Sequence, residues 1–371
     1  MTSIGIIGEY NPFHQGHAYL IDKAAKEVSA DVVVSVMSGD FTQRGTPAVY
    51  DKWERAKTAV QNGINVIAEL PAVYACNNAE YFARGAVQIL EGFGCIDYLA
   101  FGSESGDIDA LQSARAFMDS HQQEIDQRTA ELLRHGNSYP KARAIAVHEL
   151  DPSFDSDLIS QPNNILALEY LKNLRKMKPL TIKRRGDSYH ESATRLREEL
   201  RENDPERYGS MEQAYFSLIS ARILTSRNDE LESIFSAGEG LGNKMKNEIR
   251  YVSSTEQLIE RIKSKAYTRT RISRLLTQVL LGIDSETVAN AKPYIRLLGL
   301  DDVGAKFIKN MKKSERNTVP FITNINREKD DYPYILPTLE KDILSSDLYN
   351  IIAGNDLYDY SDYIESPYIG L

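Results

Sequence analysis

The sequence predicts an α/β fold in which a parallel-sheet domain is followed by a mainly helical region. Over the first hundred residues, short apolar runs alternate with amphipathic stretches, a pattern typical of βαβ units with right-handed crossovers. From Ser192 to about Leu281 the pattern is helical, with breaks at Asp204-Pro205 and at Gly238–Gly242. The predicted strands are Ile4–Ile7, Asp31–Ser35, Asn65–Ala68, Asp97–Phe101 and Thr181–Lys183.

Length and composition are those of a globular protein with more than one domain. The 371 residues exceed one typical core, so we expect two or three domains, with boundaries near residues 190 and 313. No run approaches eighteen apolar residues and no basic leader precedes the first strand, so we expect a cytoplasmic protein without a membrane span. The two cysteines, Cys76 and Cys95, are too few for a zinc site or a disulfide framework, and we predict no metal site in the protein.

The charge is unevenly distributed along the chain. A net charge of −9 argues against a nucleic-acid partner, because binding to a phosphate backbone relies on Lys and Arg. Residues 241–313, however, contain fifteen Lys and Arg against seven Asp and Glu, a local charge of +8. Residues 314–371 contain four basic and eleven acidic residues, a charge of −7. The acidic C-terminal region therefore masks a basic block that suits RNA.

The most informative motif lies directly after the first predicted strand. His14 and His17 stand three residues apart where this strand leads into a helix predicted over about His17–Val28, and Gly16 between them lets a ligand approach the backbone. Unpaired N–H groups at the start of that helix attract anions, and imidazoles beside them can donate hydrogen bonds to a reacting phosphate. An ordinary β–α turn is the alternative explanation for Pro12 and Gly16.

Further polar residues follow the other predicted strands, at the edge where open α/β sheets bind ligands. Asp40, after the second strand, can orient a histidine or a substrate, although a plain Gly-Asp turn is also consistent with it. Gly102 ends the fourth strand and leaves room for a base or ribose. Asn163 and Asn164 precede a helix predicted over Ile165–Lys172, where one of them would cap the helix and the other would be available to a ligand.

These motifs together resemble those of the bacterial tRNA(Met) cytidine acetate ligase family, within the nucleotidyltransferase superfamily that shares the HxGH signature. The resemblance runs from residue 1 to about residue 282. It rests on Glu9–His17, Ser38–Gly45, Phe101–Glu104, Ser138–Arg143, Pro162–Leu166, Ser192–Arg197 and Tyr267–Arg271. Residues 192–197 resemble the S-S/T-T-x-I-R motif of nucleotidyltransferases. Ala193 stands where that motif has its second Ser or Thr, which puts one phosphate-binding hydroxyl in doubt.

The resemblance implies a Rossmann-like, HUP-type fold and a two-step reaction. Residues 1–190 would be the ATP-binding catalytic domain, 191–313 a helical tRNA-binding region, and 314–371 an acidic C-terminal region. Acetate would be activated by ATP, with Mg²⁺, and then joined to the wobble cytidine of elongator tRNA(Met). His14, His17 and Asp40 would be catalytic. The implied ATP contacts are Ile7, Gly8, Glu9, Tyr10, Asn11, Pro12, Phe13, His14, Gly16, His17, Leu20, Gly102, Asn163, Arg184, Ser192 and Thr194.

Two groups of cations are candidates for the other substrates. Lys141 and Arg143 suit acetate or the RNA backbone, and the sequence leaves both open. The stretch from residue 264 to residue 274 mixes cations, hydroxyls and one aromatic residue without any acid, which favours RNA binding. Its candidate contacts are Lys265, Tyr267, Arg269, Arg271 and Arg274. A nucleotidyltransferase acting on a small phospho-compound, or a noncatalytic RNA-binding protein, remains an alternative.

Overall fold

The computed structural model describes residues 1–137, 139–184, 186–238, 240–264 and 267–370, with the side chains of residues 140 and 186–193 left undescribed. One sheet runs through the molecule. Its strands are β1 (Ser3–Gly8), β2 (Val32–Ser38), β3 (Val66–Leu70), β4 (Tyr98–Ser103), β5 (Lys178–Lys183), β6 (Ile295–Leu300), β7 (Phe321–Ile322) and β8 (Tyr368–Ile369).

Helices connect and cover these strands. The α-helices are α1 (Gln15–Glu27), α2 (Lys52–Gln61), α3 (Ala72–Ala75), α4 (Ala79–Gly92), α5 (Ile108–Ser120), α6 (Gln122–Arg134), α7 (Tyr139–Leu150), α8 (Asp157–Ser160), α9 (Pro162–Asn173), α10 (Gly186–Asn203), α11 (Pro205–Thr225), α12 (Asn228–Ser233), α13 (Leu241–Glu248), α14 (Thr255–Ile262), α15 (Arg269–Leu281), α16 (Ser285–Asn290), α17 (Asp302–Lys313), α18 (Ile325–Glu328) and α19 (Leu336–Ala353). Short 3-10 helices cover Ile249–Tyr251, Lys329–Asp331 and Pro333–Ile335. Within the described ranges, no helix is both long and apolar enough to cross a membrane.

The strand order is β5-β4-β1-β2-β3-β6-β7, with β8 paired to β6. The five predicted strands, β1 to β5, are all present and pair in parallel, which confirms the parallel sheet. The order reverses between β1 and β4, because the chain leaves β1 toward β2 and β3 before it returns to the other side. A crevice at the carboxyl ends of β1 and β4 is where such sheets bind ligands.

Both faces of the sheet are buried. One face packs against α4, α5 and α9 through residues such as Val34, Val66 and Leu90, and the other packs against α1 and α2 through Ile6 and Ile67. The strand β2, with sequence VVVSVMS, is buried along its whole length, as expected for an inner strand covered on both sides. The long apolar runs in the sequence therefore reflect double burial.

A third core joins the helical region to the carboxyl edge of the sheet. It contains apolar residues of α11, α13, α14 and α15 together with Phe41 and Cys76, which follow β2 and β3. The Ser273 hydroxyl donates a hydrogen bond to the Gly45 carbonyl at 2.7 Å, and Gln278 Nε2 donates to the Cys76 carbonyl at 2.9 Å. Gly45 has φ +72° and a Cβ there would lie 2.3 Å from the Arg274 nitrogen. The helix α15 therefore packs directly on the loops that surround the crevice.

The sheet does not end with the predicted first domain. β6 lies within residues 191–313, which were predicted to be helical, and it pairs antiparallel with β3. β7 and β8 come from residues 314–371 and both pair with β6. All three predicted segments therefore contribute to one sheet, because β3 would otherwise be an unpaired edge.

Buried charges tie these segments together. Lys52 Nζ lies 2.9 Å from Glu69 Oε1 and 2.8 Å from Asp362 Oδ2. Arg296 lies 2.5 Å from the same Asp362 oxygen and 3.4 Å from Glu69 Oε2. The basic residue Arg296 is therefore buried in this cluster and is not part of an RNA-binding surface, although the local charge count included it. The C-terminal Asp362 neutralises two cations that the rest of the chain buries.

We expect Asp362→Ala to lower the free energy of unfolding by about 3–5 kcal/mol, because it leaves two buried cations undercompensated. The control is Asp359→Ala, an exposed acid in the same segment, which should change it by less than about 0.5 kcal/mol. Urea unfolding of both variants measures the difference. Equal effects for the two variants would contradict the structural role of Asp362.

Candidate active site at the carboxyl edge of the sheet

The loop between β1 and α1 is held by a buried tyrosine. Tyr10 has φ +46°, and its hydroxyl is hydrogen-bonded to Ser35 Oγ at 2.8 Å. A Cβ at Gly8 would lie 2.8 Å from the Tyr10 ring, so glycine is required there. Tyr10 also contacts the edge of the His17 ring, with 4.9 Å between the centroids. The buried ring thus supports the histidine motif from below.

The two histidines are fixed by the backbone of their own motif. His14 Nδ1 accepts a hydrogen bond from the Gly16 amide at 3.0 Å, and His17 Nδ1 accepts one from the His14 amide at 3.2 Å. The rings stack with centroids 3.7 Å apart. In a neutral imidazole whose Nδ1 accepts, the proton is on Nε2. Both rings therefore carry an Nε2–H donor.

The helix α1 begins two residues earlier than predicted, because His14 is its N-cap. The His17 amide, which was expected to be unpaired, donates to the His14 carbonyl at 2.9 Å, and the Gly16 amide is satisfied by the His14 side chain. Burial lowers the pKa of His17 well below its ordinary value of 6.5, and the nearby His14 and Arg184 lower it further. His17 is therefore neutral at physiological pH.

A depression opens beside the histidines and extends over β4 and β5. Its enclosed volume is about 90 Å³, so in this structure it is a shallow depression that a nucleotide would only partly fill. Its lining residues are His14, Gly16, His17, Tyr19, Leu20, Gly102, Ile182, Lys183 and Arg184. Six of the predicted ATP contacts thus line one pocket at the point where the strand order reverses. A Cβ at Gly102 would lie 3.4 Å from Arg184 Cγ, an ordinary contact, so packing against Arg184 does not require glycine there.

A carboxylate that the sequence analysis did not select supports Arg184, which lines this pocket, through Asn163. Glu104 accepts hydrogen bonds from the Asn163 amide at 3.2 Å, from Asn163 Nδ2 at 2.6 Å and from the Asn164 amide at 2.8 Å. Arg184 in turn donates to Asn163 Oδ1 at 3.3 Å. Glu104 therefore caps α9 and positions the two predicted ATP contacts on either side of it. The position of Glu104, two residues after Gly102, could have indicated this role from the sequence.

The prediction that one of the two asparagines caps this helix is wrong. The helix α9 begins at Pro162, with Gln161 as N-cap, so both asparagines lie in its first turn. Asn164 is buried and uses its Oδ1 to accept from the Glu104 and Ser105 amides at 3.0 and 3.3 Å. Pro162 fits the first helical position because it lacks an amide that would need a partner. Asn164 holds the loop after β4 in place.

Asp40 and Glu9 lie on the other side of β1 from the pocket. Asp40 is buried, and its Oδ1 accepts from the Lys52 amide at 2.8 Å, so the structure places it in the buried charged cluster rather than against a histidine. Burial raises the pKa of Asp40 to about 6, although Lys52 opposes the shift. Glu9 accepts from the Gln43 amide at 2.6 Å and so holds the loop after β2. A catalytic role for Asp40 stays a prediction.

The remaining residues of the histidine motif hold the loop between β1 and α1 through contacts outside the pocket. Asn11 Oδ1 accepts from the Val49 amide at 2.8 Å, and the Asn11 carbonyl accepts from Arg197 at 2.8 Å. Phe13 packs on the His17 ring with centroids 5.4 Å apart. Ile7 and Pro12 also lie outside the residues that line the pocket. The loop is therefore shaped by contacts made behind it.

The helix α10 begins at Gly186, so Ser192 and Thr194 do not stand at a helix start as predicted. Thr194 Oγ1 accepts from Arg197 at 3.2 Å, while the Ser192 side chain and Arg185 lie outside the described residues. Arg197, which was not selected as a site residue, thereby connects this helix to Asn11 beside the histidine motif. Loss of solvent and the nearby Arg44 lower the pKa of Arg197.

Comparison with known proteins agrees with this arrangement. Residues 1–361 match the HIGH Nucleotidyl Transferase family. A tRNA(Met) cytidine acetate ligase of Clostridium novyi is 35% identical and one of Caldicellulosiruptor saccharolyticus is 36% identical, with 99% and 94% of both chains covered, respectively. The chain belongs to the tRNA(Met) cytidine acetate ligase family. A crystal structure of Thermotoga maritima TmcAL bound with alpha-thio ATP superposes with a TM-score of 0.89 at 28% identity, covering 100% of this chain and 99% of that one.

The cations predicted for the other substrates of this family do not form one surface. Lys141 is exposed on α7, whereas Arg143 lies 3.9 Å from Glu169 of α9. Neither lines the pocket. Lys265 lies outside the described residues. The choice between acetate and RNA for Lys141 and Arg143 therefore stays open.

The three arginines of α15 have different environments. Arg269 is exposed and paired with Glu256 of α14, an acid that the local stretch did not reveal. The Arg271 guanidinium lies over the Tyr267 ring, 4.6 Å from its centroid. Arg274 is half-buried beside Gly45. A role in RNA binding stays a prediction for all three.

The pKa of His17 leads to a pH dependence of stability. Because the folded-state pKa lies below that of the unfolded chain, the unfolded state binds the proton first as pH falls below about 6.5, and stability is lost there. We expect wild type to lose more unfolding free energy between pH 7 and pH 5 than His17→Gln. The exposed His148→Gln controls for loss of a histidine. Equal slopes for wild type and His17→Gln would contradict this.

Glu104→Ala should weaken ATP binding, because Asn163 and Arg184 lose their common support, and should lower unfolding free energy by about 1–2 kcal/mol. Asp107→Ala is a matched control, since Asp107 caps α5 by accepting from the Ala110 amide at 3.0 Å. It should cost similar stability and leave the Kd for ATP unchanged. Calorimetric titration with ATP compares them. An unchanged Kd in Glu104→Ala would refute the positioning role.

Proposed function

We propose that this chain is an ATP-dependent, AMP-forming ligase that acetylates N4 of the wobble cytidine of elongator tRNA(Met), with acetate as the acetyl source. The observation that carries this proposal is the pair of histidines, each with its Nδ1 held by a backbone amide, beside a pocket at the point where the strand order reverses. The names of the relatives supply the substrates, acetate and tRNA(Met), and the Thermotoga maritima relative binds an ATP analogue. Action on tRNA implies a cytoplasmic location.

ATP would lie along the depression with its base toward β4 and β5 and its phosphates toward α1. Gly102 offers space next to the Arg184 side chain, and Asn163 is hydrogen-bonded to the same guanidinium. The α1 N-terminus points its dipole toward the phosphates. Mg²⁺ would accompany the triphosphate and neutralise part of its charge. Within the described residues no cluster of three or more His, Cys, Asp or Glu could hold a metal, so phosphates and water would supply its ligands.

In the first step a carboxylate oxygen of acetate attacks the α-phosphorus, and the bond to pyrophosphate breaks. The carboxylate is already an anion, so this step needs no general base. Catalysis then depends on positioning and on donors aimed at the growing negative charge. The Nε2–H groups of His14 and His17 are suited to this because the Nδ1 atoms are engaged by the backbone.

In the second step the N4 amine of cytosine attacks the acetyl carbonyl, AMP leaves with the former carboxylate oxygen, and the amine loses a proton. The base must leave its stack to reach the sheet edge. The helix α15 lies against that edge and carries Arg271 stacked on Tyr267, a pair suited to RNA. A nucleotidyltransferase for a small phospho-compound would share the ATP pocket but would have no use for this helix.

The reaction can be tested with bulk tRNA lacking cytidine acetylation, ATP and isotopically labelled acetate, followed by nucleoside mass spectrometry. We expect labelled N4-acetylcytidine and equimolar AMP. Omission of ATP should abolish the product. AMP-free transfer of an adenylyl group to a phospho-compound, with no labelled nucleoside, would support the nucleotidyltransferase alternative instead.

The histidines can be tested separately. His14→Asn or His17→Asn removes an Nε2–H donor, and loss of one preorganised donor typically lowers the rate about 10²–10³-fold. We expect this loss in kcat, with KM for ATP changed much less. Unfolding curves serve as the control for folding. A variant that loses ATP binding without losing kcat would show that the histidine only binds ground-state phosphate.

A further inference from the structure

The second reactant must approach the histidines from outside the ATP pocket, which lies over β4 and β5. On the opposite side of β1, the carboxyl ends of β2 and β3 lead into Gly45 and Cys76. The helix α15 packs over both, through Ser273 and Gln278. These loops and α15 thus form a second, separate part of the same edge.

Arg274 is the cation that α15 brings to this part of the edge. Its backbone lies against Gly45, where even a Cβ would come within 2.3 Å of the Arg274 nitrogen. The loop that contains Gly45 follows β2, so Arg274 lies at the same edge of the sheet as the histidine motif.

Two other arginines near this edge are engaged by backbone carbonyls, whereas Arg44, next to Gly45, is exposed. Arg55 donates to the carbonyls of Glu9 and Ser38 at 2.7 and 3.1 Å. Arg197 donates to the Asn11 carbonyl and to Thr194. Arg274, in contrast, has no hydrogen bond or ion pair with any side chain or carbonyl that the structure describes. Loss of solvent and the neighbouring Arg271 lower the pKa of Arg274 to about 10, so it remains a cation at neutral pH.

We infer that Arg274 binds the carboxylate of the acid substrate, an inference that rests on the proposed ligase function. A half-buried guanidinium suits a small carboxylate, to which it donates charge-assisted hydrogen bonds. A bulky RNA phosphate is better served by exposed cations. The sequence analysis placed Arg274 among the RNA contacts, whereas the structure places it half-buried beside Gly45.

This role fits the chemistry of the first step. Arg274 holds one carboxylate oxygen while the other forms the bond to the α-phosphorus and pyrophosphate leaves. Once the acetyl group is joined to AMP as a mixed anhydride, the carboxylate charge is gone and the attraction to Arg274 is weaker.

The test is steady-state kinetics of Arg274→Lys and Arg274→Gln with acetate, ATP and tRNA varied in turn. We expect KM for acetate to rise at least about tenfold, more in Arg274→Gln, with KM for ATP and tRNA within about twofold. Arg115→Lys is the matched control, because Arg115 is a buried arginine paired with Asp119 on α5. It should leave all three constants unchanged. A rise in KM for tRNA with KM for acetate unchanged would overturn the proposal in favour of an RNA phosphate.

A binding measurement separates this proposal from the proposed function. Sodium acetate should raise the unfolding temperature of wild type relative to sodium chloride at equal ionic strength, and this shift should vanish in Arg274→Gln. If wild type makes no N4-acetylcytidine but this pattern holds, the carboxylate site stands and the ligase function fails. If Arg274→Gln keeps the full shift, or wild type shows none, the carboxylate site is refuted. Unfolding curves without acetate show whether each variant folds.

Discussion

Lys52 lies where three parts of the chain meet, and the neutralisation of its buried charge constrains the rest of the structure. Glu69 comes from β3, Asp40 from the loop after β2, and Asp362 from the C-terminal segment. Arg296 of β6 shares two of these acids. An unpaired charge in this position would cost several kcal/mol, so all these segments must assemble together. The acidic C-terminal region is in this respect part of the core.

The same cluster sets the position of the loop that borders the active site. A Cβ at Gly39 would lie 2.5 Å from Glu69 Oε1, so only glycine allows the carboxylate to stay beside Lys52. Beyond Gly39, Gln43 is held by Glu9 and Gly45 by Ser273. A continuous set of contacts therefore runs from the buried charges to the histidine corner and on to α15. The helical region is positioned relative to the crevice by polar contacts as well as by its apolar core.

The crevice itself is divided by β1. On one side, Glu104 fixes Asn163 and, through it, Arg184 beside Gly102. On the other side, α15 covers the loops after β2 and β3. The histidines lie between the two sides, with their Nδ1 atoms held by amides of their own motif. This arrangement suits a reaction in which a nucleotide and a second substrate meet at one phosphorus atom, because each side can bind its ligand independently.

The sequence by itself determined the features that depend on neighbouring residues. The alternation of apolar runs predicted the strands β1 to β5. The spacing between the first strand and the first helix predicted the position of the HxGH motif at the turn between them. Tertiary structure decided the features that depend on distant residues. Glu104 caps a helix about sixty residues away, and Lys52 pairs with an acid 310 positions along the chain. Likewise, Arg269 and Arg274 are on one short helix, yet one is paired at the surface and the other is half-buried without a described partner. Local sequence carries residue type and spacing, whereas burial and charge compensation arise only when distant segments pack together.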